Sequence, residues 1–105
     1  MAYAKSKNEH YLRNREKYIA QAKDKRKKLR VILTEAKAVP CMDCGVQYPY
    51  YVMDFDHRPG TVKVDNPGSM TNRGSERLLR EEIAKCDVVC ANCHRERTYL
   101  RGYNT

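Results

Sequence analysis

The first third of the chain is patterned as a long helix with a thin apolar stripe. Residues from about Asn8 to Ala38 contain neither Pro nor Gly and are rich in Lys, Arg, Ala and Leu, a composition that favours α-helix. Leu12, Ile19, Ala22, Leu29, Leu33 and Ala36 recur at steps of three, four and seven, which places them on one helical face. Arg15 and Arg26 interrupt that face, and Lys23-Asp24-Lys25-Arg26-Lys27-Lys28 is charged all round. The pattern predicts a helix that docks over Val31–Ala38 and is more exposed upstream. Thirty residues would reach about 45 Å. Pro40 ends the helix, because it supplies no backbone N–H.

Downstream the period changes. Cys41 to Tyr48 reads as a knuckle, with Gly45 relaxing the turn. Tyr50–Asp56 has the aromatic and β-branched content of a strand. Tyr51, Met53 and Phe55 form its apolar face, and Asp54 and Asp56 its acidic one. Arg58-Pro59-Gly60 signals a turn from which Thr61–Val64 is expected to return as a second strand. Residues 65–73, with Pro67, Gly68 and Asn72, read as a loop. Ser75–Ala84 reads as a short helix capped by Ser75. Cys90–Asn92 is expected to turn into a final helix ending near Arg101.

At 105 residues the prior is one domain. With 41% hydrophobic residues and no Trp, the apolar core is expected to be small, and a metal staple would supplement it. The sequence contains no apolar run of about 18 residues, so no membrane partner is expected. Its first residues lack the apolar region of a secretory signal. A reducing compartment is therefore expected, the cytoplasm, or the host cytoplasm if the chain is viral. There cysteines serve as metal ligands more often than as disulfides.

Charge divides the chain in two. Residues 1–38 hold 12 of the 21 Lys and Arg residues but only 4 of the 13 Asp and Glu residues. The whole net charge of +8 thus falls on this segment, and residues 39–105 are neutral. A cationic arm (1–38) on a neutral domain (39–105) points to a polyanionic partner, with DNA or RNA foremost. Lys23, Lys25, Arg26, Lys27 and Lys28 are the expected contacts. The plainer alternative is a solvated helix face.

The neutral segment carries the chemistry. Cys41-Met42-Asp43-Cys44 and Cys90-Ala91-Asn92-Cys93 are two Cys-x-x-Cys pairs. This spacing lets each turn present two sulfurs, so the four thiolates are expected to hold a structural Zn²⁺. Cys86 is left over and reads as a small buried hydrophobe. Cys90–His94 also matches a haem-attachment pattern, but that would require export and would leave Cys41 and Cys44 without a role. Closing the four-thiolate site is expected to bring Asp56, His57 and His94 together. An oxygen ligand, an imidazole base and an imidazole ligand are the parts of a metal-dependent phosphodiesterase.

Asp56-His57 followed by Cys90-x-x-Cys93-His94 resembles the HNH endonuclease family in its zinc-bearing form. The run Lys85–Arg95 is especially similar to small phage and bacterial HNH proteins, and the resemblance covers about residues 39–100. It implies an α+β fold: a ββα-metal (HNH, or His-Me finger) core stapled by the four-cysteine zinc site and preceded here by the basic helix. By position, His57 matches the general base, while Asp56 and His94 match ligands of a catalytic divalent ion. In an ideal strand Asp56 and His57 point to opposite faces, so the site requires the strand to end or bulge there.

Lys85 stands where the family has its middle Asn, and Thr98 where some members have a further ligand. A sparse oxygen and imidazole site suits Mg²⁺ or Mn²⁺, with nickel and zinc as alternatives. The resemblance implies cleavage of DNA to 5′-phosphate and 3′-hydroxyl ends. Arg97 and Arg101, three and seven residues after His94, are candidates for holding phosphate oxygens. Asp54 is the competing carboxylate on the strand, and His10 has no partner in the pattern. One such site makes one cut, so cutting both strands would require a dimer, a larger complex or a second encounter. The alternatives to a nuclease are a zinc-stabilised nucleic-acid-binding module without cleavage and a protein-interaction adaptor.

Overall fold

The computed structural model describes residues 2–72 and 74–102, and the side chains of residues 2–8 and Tyr11 lie outside that description. The Gly- and Pro-free segment forms a single helix, α1, Ala2–Lys37. Its 36 residues correspond to about 54 Å of rise, and the molecule measures 62 Å along its longest axis. Leu29 and Ile32 on α1 are buried, with Leu33 beside them, against Met70, Leu79 and Ile83. Leu12 and Ile19 are exposed, as expected for the upstream part. Apolar burial along α1 thus begins at Leu29. Val31 lies in the expected docking segment but faces outward.

After α1 the chain makes the Cys41–Gly45 knuckle. The Gly45 N–H bonds to the Cys41 carbonyl and the Cys41 N–H to the Val46 carbonyl, both at 2.9 Å. Gly45 sits at φ +74°, a conformation costly for a residue with Cβ. The Met42 N–H donates to the Val88 carbonyl at 3.0 Å and pins the knuckle to the sheet.

The sheet has two strands, β1 Met53–His57 and β2 Cys86–Cys90, paired antiparallel with Met53 opposite Cys90 and His57 opposite Cys86. Two expectations are corrected here. Tyr50–Val52 is a 3-10 turn rather than the start of a strand, and Tyr51 is 74% exposed rather than part of an apolar face. Thr61–Val64 is not a strand, because the hydrogen-bonding edge it was expected to occupy pairs with β2. Val62 and Val64 are exposed, so their β-branched character has no packed surface to serve.

The expected loop contains a 3-10 helix, Pro67–Asn72, whose Pro67 and Met70 are buried; Arg73 lies outside the described residues. Helix α2, Glu76–Ile83, starts at Ser75, whose Oγ accepts from the Leu78 N–H at 3.2 Å. Helix α3, Ala91–Leu100, begins directly after β2, with Cys90 as its N-cap. A second apolar cluster holds Cys41, Met53, Val89 and Cys90, flanked by Tyr48, Val52, Val88 and Cys93. The chain is thus α+β with two small cores, one under α1 and one around the cysteines. Among the described residues no helix is long and apolar enough to cross a membrane.

The α1–α2 core depends on Leu79, which is fully buried. Leu79→Ala is expected to lower unfolding stability by about 3 kcal/mol, whereas Leu12→Ala on the exposed arm should change it by about 0.5 kcal/mol or less. Urea unfolding of the two variants measures the difference, and equal midpoints would contradict this packing.

Candidate functional site

The two knuckles meet. One sulfur from each of Cys41, Cys44, Cys90 and Cys93 lies within 4.8 Å of the other three. A tetrahedral ion with metal–sulfur bonds of about 2.3 Å needs sulfurs about 3.8 Å apart, so the set could hold a metal ion such as zinc. Backbone N–H groups point at two of the sulfurs. Cys41 Sγ accepts from the Cys44 N–H at 3.5 Å and the Cys90 N–H at 3.3 Å, and Cys90 Sγ accepts from the Cys93 N–H at 3.5 Å. Burial pushes the Cys41 thiol up, but these N–H donors outweigh it and bring the thiol down to about 6. Cys86 lies outside the cluster. Burial pushes its thiol up to about 11, and its Sγ–H donates to the Glu82 carbonyl, in keeping with a small buried hydrophobe.

His94 lies in the first turn of α3, immediately after the second knuckle, and faces β1. Its Nδ1 is 3.0 Å from Asp54 Oδ2, and its Nε2 is 3.8 Å from Asp56 Oδ1. Asp54 and Asp56 share a strand face because they are two residues apart. A carboxylate holding Nδ1–H turns Nε2 outward as a ligand atom, the usual support for a metal-binding histidine. Ligands at about 2.1 Å from an ion can lie up to about 4.2 Å apart, so one ion can bridge Asp56 and His94. Asp54, read from sequence as a competing carboxylate, is in fact the group that orients His94.

Asp56 has other partners as well. Arg101 reaches its two oxygens at 2.8 and 2.9 Å, and Arg97 reaches Oδ2 at 2.9 Å. Burial alone would raise the Asp56 carboxyl, but the two arginines hold it below its ordinary range. Arg97 also bonds Asp43 on the first knuckle through two contacts of 2.6 Å and Asp87 on β2 at 2.9 Å. These bonds engage its whole fork, and its side chain is only 19% exposed. In this structure Arg97 ties knuckle, sheet and α3 together. Arg101 is also on Asp56, but 43% exposed.

His57 faces the other way. β1 stays in register to its last residue, His57, opposite Cys86, without a bulge. Alternation therefore separates Asp56, which meets α3, from His57, which meets α2. His57 Nε2 lies 2.7 Å from Oε2 of buried Glu82. The expected cluster is thus partly assembled: Asp56 and His94 come together, while His57 extends from the opposite face of the strand. Glu82 was not legible as a site residue, since nothing in the sequence distinguishes it from Glu81 beside it.

The arm residues occupy different faces of α1. Lys25 lies over Gly74 on the body, where a Cβ added at the glycine would meet Lys25 Cε at 3.3 Å, and Arg26 is half-buried. Lys23, Lys27 and Lys28 are exposed. Lys23 and Lys27 share a face with exposed Arg30 by their spacing of four and three residues. His10 is not without partners: its Nε2 is 3.1 Å from the Tyr18 hydroxyl.

Cys44→Ala is expected to abolish stoichiometric zinc binding and the folded circular-dichroism spectrum together, because such a site supplies about 10–16 kcal/mol of binding free energy coupled to folding. Cys86→Ser should retain its zinc. Metal analysis of both variants checks this, and a zinc-loaded Cys44→Ala would contradict a four-sulfur site. No family model, curated protein or solved structure matches the chain.

Proposed function

We propose that this chain is a metal-dependent endonuclease of the HNH type that hydrolyses DNA phosphodiester bonds. The observation that carries the reading is the setting of His94: Nδ1 backed by Asp54 and Nε2 3.8 Å from Asp56 Oδ1, at the junction of an antiparallel strand pair with a helix. The four thiolates hold structural zinc and serve as a clamp. Asp56 and His94 hold a catalytic Mg²⁺ or Mn²⁺. When bound, that ion supplies positive charge to the phosphoryl and leaving oxygens in the transition state.

The protein residues do the rest. His57, which lies across β1 from Asp56 and His94 in this structure, would accept a proton from the attacking water as general base, on the side of the ring that Glu82 does not hold. Asp54 keeps His94 in the ligand orientation. Arg97 keeps Asp56 fixed relative to the first knuckle. Arg101 competes with a cation for the Asp56 oxygens and is the more exposed of the two arginines. The outward face of α1 supplies attraction for the DNA backbone that does not depend on base sequence.

The ion pairs on Asp56 favour a second reading, a zinc-stabilised nucleic-acid-binding module without cleavage, in which Arg97 and Arg101 neutralise the carboxylate permanently. Incubation of supercoiled plasmid with Mg²⁺ or Mn²⁺ separates the two. The nuclease is expected to nick, and His57→Ala to be slower by about 10²- to 10⁴-fold. No nicking with either ion, or equal nicking by the variant, leaves the binding module.

Binding itself has a separate signature. If Lys23, Lys27 and Arg30 each meet a phosphate, log K against log salt carries about −2.7 of slope from them. Changing the three to Gln should flatten the slope by that amount in an anisotropy titration. An unchanged slope would assign the arm to another partner.

A further inference from the structure

Glu82 is the most completely engaged carboxylate among the described residues. Its side chain is 2% exposed. Oε2 lies 2.7 Å from His57 Nε2 and accepts the Val64 N–H at 2.9 Å and the Asp65 N–H at 3.5 Å. Oε1 accepts from Lys85 Nζ at 2.8 Å, and the same ammonium donates to the Val62 carbonyl at 2.8 Å. The carboxylate is therefore held from three directions: β1 through His57, the turn before β2 through Lys85, and Val64 and Asp65. Burying a carboxylate is costly unless such partners hold it.

We propose that Glu82 is the positioning residue for His57, holding the imidazole proton on Nε2 so that Nδ1 is the basic nitrogen, and that Lys85 is the anchor that holds Glu82 in place. The inference rests on the reading of His57 as general base. It follows from donor and acceptor accounting. Oε2 accepts two backbone N–H groups, so it faces donors and acts as an acceptor. An ionised carboxylate has no proton to give, so the ring must donate from Nε2. Burial would push the Glu82 carboxyl up, but Lys85, Val64 and His57 hold it down to about 2, so it is ionised at neutral pH.

This also accounts for Lys85. The slot where the HNH pattern has an Asn holds a residue that acts on the histidine at one remove, through the carboxylate three positions earlier on the chain. The unstranded segment 62–65 gains a purpose as well, since it supplies two of the donors and one of the acceptors that lock the pair.

The other histidine near β1 provides an internal standard. His94 faces Asp54 through Nδ1, so the two rings should carry opposite tautomers. Long-range proton–nitrogen correlation spectra of the zinc-loaded full chain, at an alkaline pH where imidazoles are neutral, read this directly. The expected result is Nε2–H for His57 and Nδ1–H for His94. Glu82→Ala, which removes the acceptor, should shift His57 to a mixture or to Nδ1–H while His94 keeps its tautomer. In the plasmid assay the same variant should lose about 10- to 100-fold in kcat, with KM changed by less than about twofold.

An Nδ1–H tautomer for His57 in the wild-type protein overturns the proposal, and that measurement needs no variant to fold. A Glu82→Ala protein that folds, keeps Nε2–H alone and retains kcat overturns it too. The nuclease reading fails separately: a wild-type protein that nicks nothing, yet shows the expected tautomers and their loss in Glu82→Ala, rejects the base role of His57 while sustaining the hold of Glu82 on it.

Discussion

The convergence of four sulfurs is the constraint on which the rest of this structure depends. Cys41 lies far from Cys90 along the chain, yet its sulfur accepts the Cys90 N–H at 3.3 Å. That contact joins the first knuckle to the point where β2 becomes α3. Met53 and Val89 pack onto the same cysteines, so the second apolar core is built around a polar, charge-accepting centre. A core of this size offers little burial by itself, which is why small domains rely on such staples. The registration of β1 on β2, and with it the placement of Asp54, Asp56 and His57, is set next to that centre.

Around the clamp, charge is arranged as a second fastening. Arg97 joins Asp43, Asp56 and Asp87, three carboxylates from the knuckle and the two strands. A cluster of acids around a partly buried centre would repel itself without a cation, and the planar guanidinium fork can meet several oxygens at once in a way that a lysine cannot. The Asp43 carboxyl is held below its ordinary range chiefly by this arginine. Asp56 is thus both a member of a structural network and the neighbour of His94.

The two-residue alternation of β1 divides the candidate chemistry. Asp54 and Asp56 face α3 and serve His94, whereas His57 faces α2 and meets Glu82. Each histidine has one ring nitrogen held by a carboxylate, but by opposite nitrogens: Nδ1 in His94 and Nε2 in His57. A short strand between two helices therefore fixes two imidazoles through different nitrogens, with different parts of the chain setting each orientation.

The long helix, the cap at Ser75, the two Cys-x-x-Cys turns and the start of α3 were legible in the sequence, because each depends on neighbours within a few positions: helix propensity, a side-chain cap or a tight ligand spacing. The confinement of positive charge to the first third was equally plain. The second strand was not, because Thr61–Val64 and Cys86–Cys90 both have strand character and only long-range pairing chooses between them. Nor were the roles of Asp54, Glu82, Arg97 and Lys85, since these depend on which distant group each side chain meets. Local propensity and spacing decided the helices and the four cysteines that could hold a metal; the tertiary structure decided the second strand and the side-chain partners, because hydrogen bonds and ion pairs act over a few ångströms in space and bear no relation to separation along the chain.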